Sequence, residues 1–337
     1  MKKVSAIIVN WNGKEVTINC IVSLLRQDYP SLEIIVSDNG STDGSIETIQ
    51  EKFPQVKLIE NGGNLGFGSA VNKGIEVGVG DYFLFLNNDV VLREDSISEL
   101  AKVLDKNSIV GAVVPKILYC EKKDTINSFG VRVNYTSVCY PNLIDCKDSD
   151  DLEPRQTACG GIFMFRREIY EEVGAFDRDL FLYHEDHDFS WRIRLAGWKI
   201  LATPQAVIYH HYHFNKGVFK FYSSEKNRLF LLFKNLEWKT LFLISPALIA
   251  VELAQIAHAL SNGWFDLKLK SYFEILGLMR LILRKRRALQ RTRKVSDREI
   301  VNLYEGKLEV GGVKNSLLKY FLSPGLDLYW RLIRRFI

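Results

Sequence analysis

Before residue 90 the chain repeats one pattern four times: a short apolar run that stops at a polar cluster. "VSAIIV" runs into Asn10-Trp11-Asn12, "LEIIVS" into Asp38-Asn39, "VKLIE" into Asn61 to Asn64, and "YFLFL" into Asn87-Asn88-Asp89. Between them lie segments with helical spacing: "KEVTINCIVSLLRQ", with Cys20, Ile21, Leu24 and Leu25 on one side, then "SIETIQEKF" and "GSAVNKGIEVG". Nearly all-apolar strands alternating with helices predict an α/β fold, a parallel sheet covered by helices on both faces. Such sheets take ligands beyond the carboxyl ends of their strands. Four polar clusters at that edge predict a site there.

Hydrophobic residues make up 47% of the chain, enough for a buried core, which excludes global disorder. The five cysteines (Cys20, Cys120, Cys139, Cys146, Cys159) form no C-x-x-C pair, a pattern of a reducing compartment rather than a disulfide scaffold or a zinc site. The first apolar run is too short for a secretory signal and reads as a buried strand. Charge is divided unevenly. Residues 1–220 hold 24 Lys and Arg against 30 Asp and Glu; residues 221–337 hold 21 against 10. That asymmetry predicts a neutral or acidic catalytic body and a basic tail that meets something anionic. Composition shifts near residue 218, toward long, basic, aromatic-rich helices. The expected division is therefore 1–218 and 219–337, with a nucleotide-binding half at about 1–110 and an acceptor half at about 111–218. Residues 120–156 read as polar, with "DCKDSDDLEPR" as an acidic loop.

Three stretches carry chemistry-bearing residues. In "IIVSDNGSTDGS", Asp38 ends a strand, where a carboxylate can accept a hydrogen bond from a pyrimidine imide N–H. Turn chemistry and helix capping would use the same residues. In "YFLFLNNDVVL" an apolar strand delivers Asn87, Asn88 and Asp89. Hard divalent cations take oxygen ligands, and Mg²⁺ uses one or two carboxylates plus substrate phosphates. Asp89 fits such a ligand beside a diphosphate; a strand-ending turn is the plain alternative. "FLYHEDHDFSWRIRLAGWKI" concentrates His184, Glu185, Asp186, His187 and Asp188 ahead of a helical pattern. There the acids can serve as a base or simply face the helix dipole.

In order, "AIIVNWNG", "VSDNGSTDGS", "NGGNLGFGSAVNKGI", "LNNDV", "CGGIFMFRREIYEEVGAFD" and "FLYHEDHDFSWRIRLAGWKI" resemble the blocks of family 2 glycosyltransferases of the GT-A fold, in their rhamnosyltransferase-like branch, over roughly residues 3–235. The resemblance implies a sugar-nucleotide donor, Mg²⁺ or Mn²⁺, and inversion at the anomeric carbon. It implies donor contacts from Asn10, Trp11, Asp38, Asn39, Gly66, Asn72 and Asn88, with Trp11 stacking on the base. Asp89 resembles the last acid of the family's D-x-D metal motif, whose first position here is Asn87. Glu185-Asp186 resembles the family's E-D pair, which implies that Asp186 is the base and that Glu185 shapes the catalytic pocket. No general acid is required where a metal stabilises the leaving charge. A late histidine completes the metal site in GT-A enzymes, a role that falls to His210 or His211 in "VIYHHYHF"; His213 shares a strand face with His211. Gly160, Gly161 and Asp188 are the expected acceptor contacts, the paired glycines because they let backbone approach closely. Phe163, Met164 and Phe165 read as core. Lys226-Asn227-Arg228 resembles an arginine-asparagine stretch that contacts the diphosphate. His184 and His187 receive no catalytic role.

In the tail, "TLFLISPALIAVELAQIAHAL" (240–260) is long enough to span a membrane thinly, but Glu252, Gln255 and His258 form a polar stripe. That favours a helix lying in the interface or packed on the body. Eight basic residues lie between 280 and 294, and "LDLYWRLIRRFI" sets Asp327, Arg331, Arg334 and Arg335 against Leu326, Trp330, Ile333 and Ile337. Basic and aromatic faces predict peripheral attachment to the anionic cytoplasmic face of the cell membrane. No nucleic-acid motif is present, and helices closing a homo-oligomer are the plain alternative. The expected function is transfer of a sugar, rhamnose by branch resemblance, from dTDP-rhamnose or a UDP-sugar to a lipid-linked or polysaccharide acceptor in cell-surface glycan synthesis. The rivals are a sugar-nucleotide-binding scaffold and a nucleotidyltransferase, the latter disfavoured because no glycine-rich, lysine-bearing loop follows strand 1.

Overall fold

β1 (Val4–Asn10) is buried along its whole length, and its alternating side chains enter two cores. Val4, Ala6 and Ile8 face one; Ile7 and Val9 face the other. This is what an unbroken apolar strand does in the middle of a sheet with both faces covered. The structure, a computed structural model, describes residues 1–212, 218–308 and 318–337. It divides into two units: Met1–Val131, Pro141–Ile193 and Trp198–Phe214 form the first, and Arg132–Tyr140, Arg194–Gly197 and Asn215–Ile337 the second.

After β1 come α1 (Lys14–Leu25), β2 (Leu32–Asp38), α2 (Ser45–Lys52), β3 (Lys57–Glu60), α3 (Phe67–Val77) and β4 (Tyr82–Asn87). Then follow β5 (Val90–Leu92), α4 (Ser96–Lys106), β6 (Val110–Tyr119), β7 (Ile126–Phe129), β8 (Val131–Asn134), β9 (Cys139–Pro141) and β10 (Arg155–Gln156). β11 (Phe163–Arg166), α5 (Arg167–Val173), α6 (Glu185–Leu195) and β12 (Lys199–His210) follow these. The large sheet runs β10-β12-β6-β11-β4-β1-β2-β3, with β5 on β12 and β7 on β6. The half around β4, β1, β2 and β3 is parallel, and β11 inserts antiparallel between β4 and β6. Cys20, Ile21 and Leu24 of α1 and Ile97, Leu100 and Leu104 of α4 pack on one face. Ala70, Val71 and Ile75 of α3 and Phe189 and Ile193 of α6 pack on the other. The expected mostly parallel α/β sheet with helices on both faces is present.

Register brings the strand ends level. Asn10 lies opposite Asp38, Val9 opposite Asn87 and Asp38 opposite Glu60. Farther along, His210 of β12 lies opposite Val90 of β5 and Tyr119 of β6, which sets it beside Asp89. Phe163, Met164 and Phe165 are fully buried, as expected. The polar stretch 120–156 contains β7 to β10, with β7 to β9 ahead of the acidic loop.

The second unit holds α7 (Val218–Asn235), α8 (Trp238–Ser261), α9 (Phe265–Thr292), α10 (Asp297–Ile300), β13 (Tyr304–Glu305) and α11 (Ser323–Ile333). A small sheet orders β13-β8-β9, and Trp330 of α11 stacks on Tyr135 with ring centroids 4.6 Å apart. Its interior is charged. Arg228 of α7 donates to the Thr136 carbonyl at 2.9 Å, to Glu225 at 3.1 Å and to Gln255 at 3.2 Å, and it also pairs with Glu252. Lys268 of α9 reaches Glu225 at 2.6 Å and Glu252 at 2.8 Å. Two sequence expectations change here. Arg228 is not a diphosphate contact, because its guanidinium is spent on this network. The α8 stripe of Glu252 and Gln255 points inward, because two buried cations need counter-charges. The exposed side of α8 carries the large apolar side chains Trp238, Phe242, Ile249, Leu253 and Leu260, with Lys239 and His258 near its ends.

Candidate active site

The ends of β1, β2 and β4 are tied by one hydrogen-bonded network. Asp38 is fully buried; its Oδ1 accepts from the Gly40 and Ser41 amides at 2.9 and 2.7 Å, and its Oδ2 accepts from Asn10 and the Ser41 hydroxyl at 2.8 and 2.7 Å. Oδ1 of Asn10 accepts from Thr17, Asn88 and the Gly13 amide. Asn39 donates to the Gly66 carbonyl at 3.2 Å and accepts from Asn61 at 3.0 Å. Asp38, Asn10 and Asn39 therefore hold the loops in shape, and Asn88 joins them through its Nδ2, which donates to Asn10 and Thr17. The Asp38 carboxylate thus receives four donors from the loops it shapes. Asn72 is corrected as a donor contact: it clamps the Phe176 backbone, donating to its carbonyl at 2.9 Å and accepting from its amide at 2.8 Å. Trp11, 58% exposed beside this network, keeps a free aromatic face. Gly66 has φ +81°, and a Cβ there would lie 2.1 Å from the Phe181 carbonyl oxygen, so only glycine fits.

Asp89 and His210 meet at the β5–β12 register. Nε2 of His210 lies 3.2 Å from Oδ1 of Asp89, while the His211 amide donates to the Asp89 carbonyl at 2.9 Å. That Oδ1 is shielded from solvent and receives no hydrogen bond from the described residues. A shielded, unspent carboxylate oxygen facing an imidazole nitrogen suits a divalent cation, so the donor set fits Mg²⁺ or Mn²⁺. Nδ1 of His211 lies 3.1 Å from Glu121. His213 lies outside the described residues. Gly161 lies close to Asn87, whose side chain a Cβ there would approach to 3.6 Å, and a Cβ at Gly160 would meet Val131 at 3.3 Å.

The third component is the start of α6. Tyr183 and His184 both have φ +69°, a left-handed turn that non-glycine residues adopt at a cost, and the helix begins directly after it. The strained turn fixes where Glu185 and Asp186 point. Oδ1 of Asp186 accepts from the His187 amide at 2.7 Å. Glu185 is buried against Gly68 of α3, and its Oε2 receives no hydrogen bond from the described residues. Burial raises both carboxyls, Asp186 to about 6, and the neighbouring Asp186 charge pushes Glu185 higher still. Asp188 is corrected as an acceptor contact: it is fully buried and paired with Arg192 at 2.9 Å, which in turn donates to the Val173 carbonyl.

The sequence model of glycosyl transferase family 2 matches residues 5–174. A relative from Mycobacterium tuberculosis, N-acetylglucosaminyl-diphospho-decaprenol L-rhamnosyltransferase, is 27% identical over 57% of this chain and 70% of its own. The poly-beta-1,6-N-acetyl-D-glucosamine synthase of Staphylococcus epidermidis is 28% identical over 60% of this chain and 48% of its own. Among solved structures, GalNAc-T7 with UDP, GalNAc and Mn²⁺ aligns with TM-score 0.58 and 20% identity, over 69% of this chain and 48% of its own. The mannosyltransferase PcManGT of Pyrobaculum calidifontis, with GDP-Man and Mn²⁺, aligns with TM-score 0.53 and 16% identity over 86% of each chain. The chain spans about half the length of the synthase and of GalNAc-T7. At these structural identities the likeness is one of fold, the GT-A fold.

Proposed function

The chain belongs to glycosyl transferase family 2, and from that premise we propose an inverting, metal-dependent transferase that moves rhamnose from a nucleotide-diphosphate donor to a lipid-linked acceptor. The observation that carries this reading is Asp186, held at the start of α6 with its carboxyl raised to about 6. Asp186 takes the acceptor hydroxyl's proton as that oxygen bonds to the anomeric carbon. The bond from that carbon to the diphosphate oxygen breaks on the opposite face and leaves its electron pair on the nucleotide. Trp11 offers a stacking surface for the base. Asp89 and His210 would hold the cation, which when bound neutralises charge on the departing diphosphate. Rhamnose and the lipid-linked acceptor rest on likeness to the mycobacterial rhamnosyltransferase.

The same reading extends to location, the anionic cytoplasmic face of a membrane. α8 is long and apolar enough to cross a bilayer by length and composition, yet Glu252 and Gln255 are spent inward, which favours a helix lying in the interface. On α9 one exposed stripe begins with Phe273 and Leu276 and continues with Arg280, Arg284, Arg287 and Arg291. An apolar stretch that turns basic along one line matches hydrocarbon followed by acidic headgroups.

Asp186→Asn tests the chemistry. Transfer should fall roughly 10²–10⁴-fold while donor binding persists, and the wild-type rate should climb with pH through about 6. Retained transfer in that variant would remove Asp186 as the base.

A further inference from the structure

We infer that Asn127 sets the tautomer of His210 and thereby makes its Nε2 a metal ligand. This rests on the metal-dependent reading above. Asn127 lies in β7, which pairs with β6 as Lys116 opposite Phe129, Ile117 opposite Ser128 and Leu118 opposite Ile126. Asn127 is the residue skipped, the extra residue of a β-bulge. Bulges re-aim one side chain out of the alternation of a strand. Here the re-aimed side chain is buried, and its Oδ1 lies 3.1 Å from Nδ1 of His210.

An amide oxygen only accepts, so that contact requires the proton on Nδ1. The reverse orientation of the amide would instead donate to Nδ1 and move the ring proton to Nε2, toward Asp89. The structure turns the Asn127 oxygen, not its NH₂, to the ring. Nε2 is left with its lone pair, 3.2 Å from the unspent Oδ1 of Asp89. Two acceptors facing each other at that distance repel unless a cation lies between them. Asn127 is thus a positioning residue, acting on the metal through His210.

Two measurements test this. In metal-free protein at a pH where the ring is neutral, ¹⁵N shifts should show His210 protonated on Nδ1. Mn²⁺ affinity, read by EPR with and without dTDP, should fall roughly 10–100-fold in Asn127→Leu. It should return toward wild type in Asn127→Asp, which keeps the acceptor. The ¹⁵N measurement on the wild-type protein carries the test if Asn127→Leu does not fold. An Nε2-protonated His210, or undiminished Mn²⁺ affinity in folded Asn127→Leu, would overturn the role of Asn127 alone. Wild-type Mn²⁺ affinity unmoved by Asp89→Ala and His210→Ala would instead overturn the metal site, and this inference with it.

Discussion

The two units differ in how some of their buried acids are treated, although Asp188 of the catalytic unit is also paired, with Arg192. In the helical unit Glu225 and Glu252 each meet both Arg228 and Lys268, so two acids and two bases balance in a closed group. In the catalytic unit Asp89 and Glu185 each keep a shielded oxygen that no described residue bonds. An unpaired buried acceptor costs about 1–3 kcal/mol, and such a cost persists where a ligand's own donor or a cation completes the pairing. Paired charge holds helices together in one unit, and the other keeps these two acceptors unspent. Their surfaces differ as well. The helical unit buries its ions and exposes Phe242, Phe273 and Leu328, each more than 60% accessible, an inversion of the ordinary distribution.

The sharpest way to break that contrast is to unbalance the closed group. Arg228→Met leaves two carboxylates against one lysine and should lower stability by about 3–5 kcal/mol, read from urea unfolding. Arg228→Met with Glu252→Met leaves Lys268 and Glu225 as a matched pair and should recover most of that loss. If the double variant is no better than the single, the network is not acting by charge balance. The inverted surface gives the next effect. Phe273→Asp removes an apolar contact worth about 1.5–3 kcal/mol when buried, so partition to phosphatidylglycerol vesicles should drop roughly 10–100-fold. Stability should move by less than about 0.5 kcal/mol, because the residue is exposed. Equal binding of wild type to neutral and anionic vesicles would remove the electrostatic half of the membrane reading.

Much of the catalytic sheet was legible because an all-apolar strand has one reading and its terminating polar cluster marks an edge. That Asp89, His210 and Asp186 lie at strand and helix ends followed from apolar runs and motif order. What the sequence hid was where a polar side chain is spent. Asn72 and Asp188 occupy positions that imply ligand contacts, yet one clamps the Phe176 backbone and the other pairs with Arg192. Periodicity likewise placed Glu252 and Gln255 on one face of α8 without saying that the face points inward, since only the partners Arg228 and Lys268 decide that. Asn127 escaped notice because "TINSF" breaks alternation at the bulge; a polar residue amid an apolar strand pattern was the available signal. The antiparallel insertion of β11 depends on long-range pairing that no local pattern reports.

The smallest effect, and the finest probe of the contrast, is the pH dependence that Glu185 gives to folding. Its carboxyl is raised above the ordinary glutamate value by burial and then by Asp186. Below that ordinary value the folded and unfolded chains both carry the proton, and burial adds no pH-dependent cost. As pH rises past it, the unfolded chain releases the proton while the native one holds it, so stability falls with pH until the native value is passed. Glu185→Gln has no proton to release. Its melting temperature should therefore gain on wild type as pH rises from about 4.5 toward 8, with the two close together at the acid end. Glu225→Gln sits in the balanced group, where burial raises its carboxyl but Arg228 and Lys268 outweigh this and hold it low. Stability from that acid is present above the ordinary value and lost as pH falls, so Glu225→Gln should lose to wild type at neutral pH and draw closer in acid. Opposite slopes for the two substitutions would sharpen the distinction between an unspent acid and a paired one; parallel slopes would erase it.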